Sequence, residues 1–217
     1  MSISVSERIR GHAEGYLLVR PLKSQYRCQL VTESFYHIDR AKSLEQGQTL
    51  SLIPVSETEI EQKRLAEEYY PEGVTKHGER YLSHFEPDED DEQTYWIEAW
   101  MEMIRLLEYP DQFSRFQAVF GAETTEEVEQ FARTYSSGKE EAVICRVTAE
   151  RTQTADTMFL SGMRVEMLEN IRACRRYWES EIGSFETPRS ITEILAEPPV
   201  EVVEKVDEIS LSQETGE

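Results

Sequence analysis

A chain of 217 residues with 39% hydrophobic content is long enough to bury one sizeable core, yet part of it must lie outside that core. Forty-three acidic residues against 23 basic ones give a formal charge of -20, which repels nucleic acid and anionic membrane and disfavours direct binding to either. No apolar run approaches the roughly 18 residues of a membrane helix, and the N-terminus carries no signal-peptide core, so a cytoplasmic protein is expected.

Only six of the 23 basic residues are lysine (Lys23, Lys42, Lys63, Lys76, Lys139, Lys205). Strong acidity with little lysine suits a protein kept soluble in high salt, where self-repulsion is screened. The acids are spread along the chain, which favours this salt-adapted reading over an acidic DNA-mimic decoy. Cys28, Cys145 and Cys174 are far apart and odd in number, so they form neither a metal site nor a disulfide framework.

In chain order, residues 1–15 are polar and predict a loose arm, 16–206 a single domain, and 207–217 a disordered tail. Tyr16–Val19 and Tyr26–Val31 are short β-prone runs. Ser34–Arg40 predicts an aromatic strand ending in His37, with Gly47 turning the chain into Thr49–Ile53. Glu57–Glu68 is a charged helical stretch, Tyr69–Phe85 an irregular loop bearing His77, and the five acids Asp88–Glu92 a solvated loop. Ile97, Trp100, Met101, Ile104 and Leu107 predict a helix over Tyr95–Glu108 with one buried face. Ser114–Phe120 predicts a strand ended by Gly121. A capping box, Thr124 with Glu127, then opens a helix bearing Val128, Phe131, Ala132 and Tyr135, stopping near Gly138. Ala142–Thr148 predicts a strand, and Val165, Leu168, Ile171, Cys174 and Trp178 mark a third helix. Thr192–Leu195 and Val200–Val206 form a late strand-like pair. This order suits an α+β domain with a split, mostly antiparallel β-sheet flanked by helices.

No Gly-rich phosphate loop, GxSxG elbow, HExxH or paired CxxC is present, and no metal is expected. Three pieces remain: the strand end Phe35-Tyr36-His37, the run Ser114-Arg115-Phe116-Gln117 leading into the capped helix, and Thr192-Glu193-Ile194-Leu195 before Pro198-Pro199. This succession resembles the ADP-ribosyltransferase-like superfamily, whose split sheet carries one functional position on each of three strands. The His37-to-Gly47 opening looks most like the small rifamycin-modifying ADP-ribosyltransferases, and the whole also resembles an uncharacterised prokaryotic family assigned to the same superfold.

The resemblance implies NAD as substrate and an ADP-ribosyl acceptor that is protein, nucleic acid or small molecule, or else hydrolysis of NAD. It implies that His37, with Tyr36 beside it, holds a ribose hydroxyl, and that Ser114, Arg115, Phe116 or Gln117 lies where the family places a nicotinamide-stacking tyrosine. Here Phe116 supplies a ring and Ser114 a hydroxyl. Glu193 matches the acid that binds the nicotinamide ribose and acts in catalysis with His37.

An acid there has a reason independent of family. Breaking the nicotinamide–ribose bond builds positive charge on the sugar, and a fixed carboxylate stabilises that state more than the ground state. Plain structural roles stand beside these: His37 as a histidine bonded to backbone, Glu193 as one surface acid among many, Phe116 as core. The alternative function is a non-catalytic ligand-binding or interaction protein on the same fold.

Overall fold

Glu33–Asp39 (β1) is the strand on which the rest is hung. The computed structural model describes residues 33–83, 89–134, 141–160, 166–181 and 191–211. After β1 come β2 (Thr49–Leu50), α1 (Lys63–Tyr69), α2 (Lys76–Leu82), α3 (Glu89–Glu108), β3 (Val119–Ala122), α4 (Thr125–Thr134), β4 (Glu141–Ala149), β5 (Thr152–Asp156), α5 (Met167–Trp178), β6 (Thr192–Ala196) and β7 (Val200–Ser210). The strands make one seven-stranded sheet, ordered β2-β7-β4-β1-β3-β6-β5, and every adjacent pair is antiparallel. The α+β class with an antiparallel sheet is as expected.

Chain length forces this sheet to fold over on itself. β4 and β5 are separated in the sheet by three strands, which in a flat sheet is about 19 Å at ~4.8 Å per spacing. Yet only Glu150 and Arg151 connect them, a reach of about 11 Å. The link from β6 to β7 is nearly as short, and the two links touch through Glu197 N–H donating to Arg151 O at 3.0 Å. The bend falls at the β1–β3 seam, where a single position is paired, Tyr36 with Ala122. Gly121 permits that approach: a Cβ there would lie 2.3 Å from Tyr36 O and 2.4 Å from the Phe35 ring.

Alternation then sorts the side chains onto two faces. Phe35, Val119, Cys145, Val147, Ile194, Ala196, Val200 and Val202 fill the inner face, inside the fold of the sheet. The outer face is covered by helices. Ala122, Ile144, Tyr36 and Ile38 pack with Val128 and Ala132 of α4, while Leu195, Ala155 and Phe120 pack with Met101 and Ile104 of α3 and Tyr177 and Trp178 of α5. A fourth cluster, Val55, Ile60, Ala66, Tyr70, Val74 and Phe116, roots α1 and α2.

Several expectations are corrected. Ser114–Gln117 is a turn and not a strand, because the Ser114 hydroxyl accepts from Phe116 N–H at 3.1 Å and the Ser114 carbonyl from Gln117 N–H at 3.0 Å. The strand starts at Val119 and runs through Gly121. Tyr69–Phe85 contains α2, and Glu89–Glu92 opens α3, where acids favour a helix N-terminus. Thr152–Asp156, polar and without an apolar alternation to announce it, is a further strand. β6 and β7 are not partners: β6 pairs with β3 and β5, β7 with β4 and β2. Two register shifts interrupt the β4–β7 pairing. Residues 207–210 belong to β7, and Leu211 is buried, so the frayed tail does not begin at Asp207. The expected N-terminal arm, both early β-prone runs, Cys28, Tyr135, Gly138 and Val165 lie outside the described residues. No described helix is long and apolar enough to cross a membrane.

Candidate functional site

Helix α3 places Glu98, Met101, Glu102, Ile104 and Arg105 on its buried side, so carboxylates at i and i+4 enter the interior together. Each meets its own polar cluster. Glu102 accepts from Arg105 Nε at 3.0 Å and Nη2 at 2.8 Å, from the Ser114 hydroxyl at 2.9 Å and from the Tyr70 hydroxyl at 3.0 Å. That cluster balances one carboxylate with one guanidinium. It ties α3 to the end of α1 and to the Ser114 turn, and burial together with Glu102 holds the Tyr70 phenol well above its ordinary pKa.

The second cluster is not balanced. Arg115 clasps Glu98 through Nε and Nη2, both at 2.8 Å, and its Nη1 donates to Glu193 Oε2 at 2.6 Å and to the Tyr177 hydroxyl. The Tyr177 hydroxyl donates to the same Glu193 oxygen at 2.6 Å. The guanidinium also lies 4.6 Å over the Phe120 ring and 5.3 Å over the Tyr177 ring. Two buried carboxylates thus share one buried guanidinium, a formal charge of −1. Glu193, 2% exposed, has a second oxygen, Oε1, buried without a hydrogen-bond partner.

His77 lies on the solvent side of this cluster. The N-cap Thr75 starts α2 by accepting from Gly78 N–H, and Gly78 lets the helix press against Phe116, so His77 points inward. Its Nε2 is 3.4 Å from Glu98 Oε2, and its side chain is 26% exposed. Tyr81 and Phe120 flank the ring, each with centroids 4.8 Å away. Burial works against the ionised form of Glu98, but Arg115 and His77 outweigh it and hold that carboxyl well below the usual carboxylate range. Burial, reinforced by Glu193, pushes the Tyr177 phenol well above its ordinary value despite Arg115.

The residues singled out from sequence are partly gathered and partly dispersed. Arg115 and Glu193 meet directly. Ser114 is spent on Glu102, Phe116 sits in the α1–α2 core, and the Gln117 amide donates to Gly73 O at 2.8 Å. Tyr36 packs toward α4. That Glu193 acts in catalysis together with His37, as the resemblance implies, is corrected by the register. Tyr36 pairs with Ala122 and Ala122 with Glu193, so Glu193 shares a face with Tyr36, and His37, one residue on, points to the other face. There His37 Nδ1–H donates to Phe120 O at 2.8 Å, across the seam.

Glu98, Tyr177 and the inward position of His77 were missed by sequence reasoning. The available signal was the acid pair at 98 and 102 inside the Met101–Ile104 stripe. Arg172, Arg175 and Arg176 of α5 are paired with Glu169, Glu108 and Glu181. A shallow depression on α4, lined by Glu126, Glu129, Gln130, Arg133 and Thr134, lies apart from all of this. Among the described residues no group of acids, histidines and cysteines has metal-site geometry.

Comparison with curated proteins finds no match. Residues 35–208, which include every residue of both clusters, match a family model, and the chain belongs to that family, described as "Protein of unknown function (DUF2441)".

Proposed function

We propose that the protein binds NAD at the His77–Phe120–Glu193 end of the buried cluster and transfers its ADP-ribose to an acceptor or to water, on a split sheet of the ADP-ribosyltransferase type. The observation that carries this reading is the unpartnered Glu193 Oε1 in a cluster one positive charge short. A buried carboxylate without a full set of donors is costly, and a cationic ligand offsets that cost. The nicotinamide ring of NAD is a planar cation, and the sugar left as it departs is oxocarbenium-like. Glu193 stabilises that sugar, Arg115 and Tyr177 fix the carboxylate, and the rings of Phe120, His77 and Tyr81 offer faces to a flat cation. His37 serves the seam and not the ligand. The folded-over antiparallel sheet with its single-pair seam favours this superfold, and the free buried thiols of Cys145 and Cys174 suit a reducing cytoplasm.

Titration calorimetry with NAD, followed by assay of nicotinamide release, tests the reading. Binding at millimolar NAD or tighter is expected, with release abolished by Glu193→Gln while the fold is kept. Absence of heat at millimolar NAD removes the dinucleotide, and unchanged turnover in Glu193→Gln removes that residue.

A non-catalytic interaction protein on the same fold is the second reading. It is favoured by Trp96 (49% exposed), Met103 (43%) and Leu107 (71%), which lie at i, i+7 and i+11 as an exposed apolar stripe on α3. NAD binding with no nicotinamide release decides for it.

A further inference from the structure

We propose that His77 sets the charge specificity of this site: a proton on its imidazole and a cationic ligand are alternative ways to balance the same two carboxylates. A cation then binds with release of that proton, and a neutral molecule of the same shape binds without it. This rests on the reading that ligands enter toward Glu193.

The cluster counts two carboxylates and one guanidinium. Among the described residues, His77 is the other base within 4 Å of either carboxylate. Its Nε2 is buried and makes no hydrogen bond, although the ring as a whole is partly exposed. That nitrogen therefore faces Glu98 from the inside, on a side chain that is 26% exposed. The titratable and charged groups around it are Glu98 of α3, Arg115 of the turn before β3, and Tyr81 of its own helix, which contacts Tyr95 of α3 and the Arg80 guanidinium. Behind Arg115 stand Tyr177 of α5 and Glu193 of β6. Arg115 is already committed to both carboxylates, so the remaining negative charge falls to His77 or to a ligand.

Coupling follows from the low polarity of the surroundings. Two positive charges, one beside Glu98 and the other toward Glu193, repel each other strongly between the rings of Phe116, Phe120 and Tyr81, and both draw on the charge of the two carboxylates that Arg115 bridges. Occupation by one therefore weakens the other, and by linkage the ligand's affinity depends on pH in proportion to the protons it expels.

The test uses calorimetry of the whole protein with three probes: NAD, the 1-methylnicotinamide cation and neutral nicotinamide. Each is titrated at one pH in two buffers of different ionisation enthalpy. For wild type, the two pyridinium ligands are expected to show buffer-dependent heats equivalent to the release of about one proton, and affinity that rises up to about tenfold per pH unit while that proton is being displaced. Nicotinamide is expected to show neither. His77→Gln should make the heats buffer-independent, and Glu98→Gln, which leaves one carboxylate per guanidinium, should cut the preference for cation over neutral ring at least tenfold. Pyridinium binding to wild type with no proton exchange overturns the inference and leaves the NAD reading standing. Failure of both NAD and 1-methylnicotinamide to bind overturns both.

Discussion

The guanidinium of Arg115 lies 2.6 Å from the Glu193 carboxylate in the interior, 78 residues away along the chain, and joins β6 to the turn that precedes β3. The two members of this pair are not equivalent. Arg115 is the cluster's common counter-ion, so Arg115→Met leaves Glu98 and Glu193 buried without their guanidinium, at a cost of about 3–5 kcal/mol. Glu193→Gln leaves the Glu98–Arg115 pair balanced and keeps the side-chain shape, so it should cost no more than about 1 kcal/mol. Urea unfolding of both variants checks the asymmetry. Equal midpoints would mean that Arg115 is not the pivot.

His37 carries a pH signature of its own, separate from any ligand. Burial lowers its pKa below 6.5, opposed by the Phe120 carbonyl and by Asp39. Above 6.5 the imidazole is neutral in both folded and unfolded chains and pH has no effect through it. As pH falls from 6.5 toward the depressed folded value, the unfolded chain takes up the proton first and the native state loses stability. Denaturant midpoints at pH 7.5 and 5.5 should therefore differ in wild type, and His37→Gln should shrink the difference. An unchanged difference would show that the β1–β3 seam does not depend on the neutral ring.

Glu98 acts in a lower window. Its folded pKa lies well below the ordinary 4.5, so its contribution is fully present above 4.5 and is lost as pH falls through the folded value. Glu98→Gln is expected to flatten the acid limb of the stability curve below pH 4.5 while lowering stability at pH 7. The check is a series of thermal melts from pH 7 to pH 2.5.

Local signals were legible and long-range ones were not. Thr124 and Glu127 form the reciprocal cap that their spacing announced, each backbone N–H bonded to the other's side chain at 3.2 Å. The strand at 142–148 and the late strand were visible from their valines. Helix α3 was found, and Ile97, Trp100, Met101 and Ile104 of its expected face pack into the core; Leu107 is exposed, while Glu98, Glu102 and Arg105 are buried beside them. Periodicity weighs apolar residues only, and these charges are buried because Arg115, Tyr70 and Ser114, distant in sequence, satisfy them. Leu168 of α5, 76% exposed, was misplaced by the same rule. The separation of His37 from Glu193 was illegible for a different reason. It turns on the parity of two strand registers, and one residue of register reverses a face.

Gly78 should be the most sensitive small residue in the site. A Cβ at that position would fall 2.2 Å from Phe116 O and 2.8 Å from Phe116 Cβ, and neither neighbour can retreat easily. Phe116 O already accepts from Thr75 N–H at 2.9 Å and from the Thr75 hydroxyl at 3.2 Å, and its ring is packed among Tyr70, Val74 and Val55. In an exposed helix Gly→Ala raises helix propensity by about 1 kcal/mol, so a purely local view expects stabilisation. Here the overlap forces α2 outward, with a net loss on the order of 1–3 kcal/mol. Because His77 precedes Gly78, the same shift draws Nε2 away from Glu98. Gly78→Ala should therefore lower the melting temperature and, if pyridinium ligands bind, reduce the proton release that accompanies them. Stabilisation in place of loss would mean that α2 is free to slide, and that the approach of His77 to Glu98 is not held by this contact.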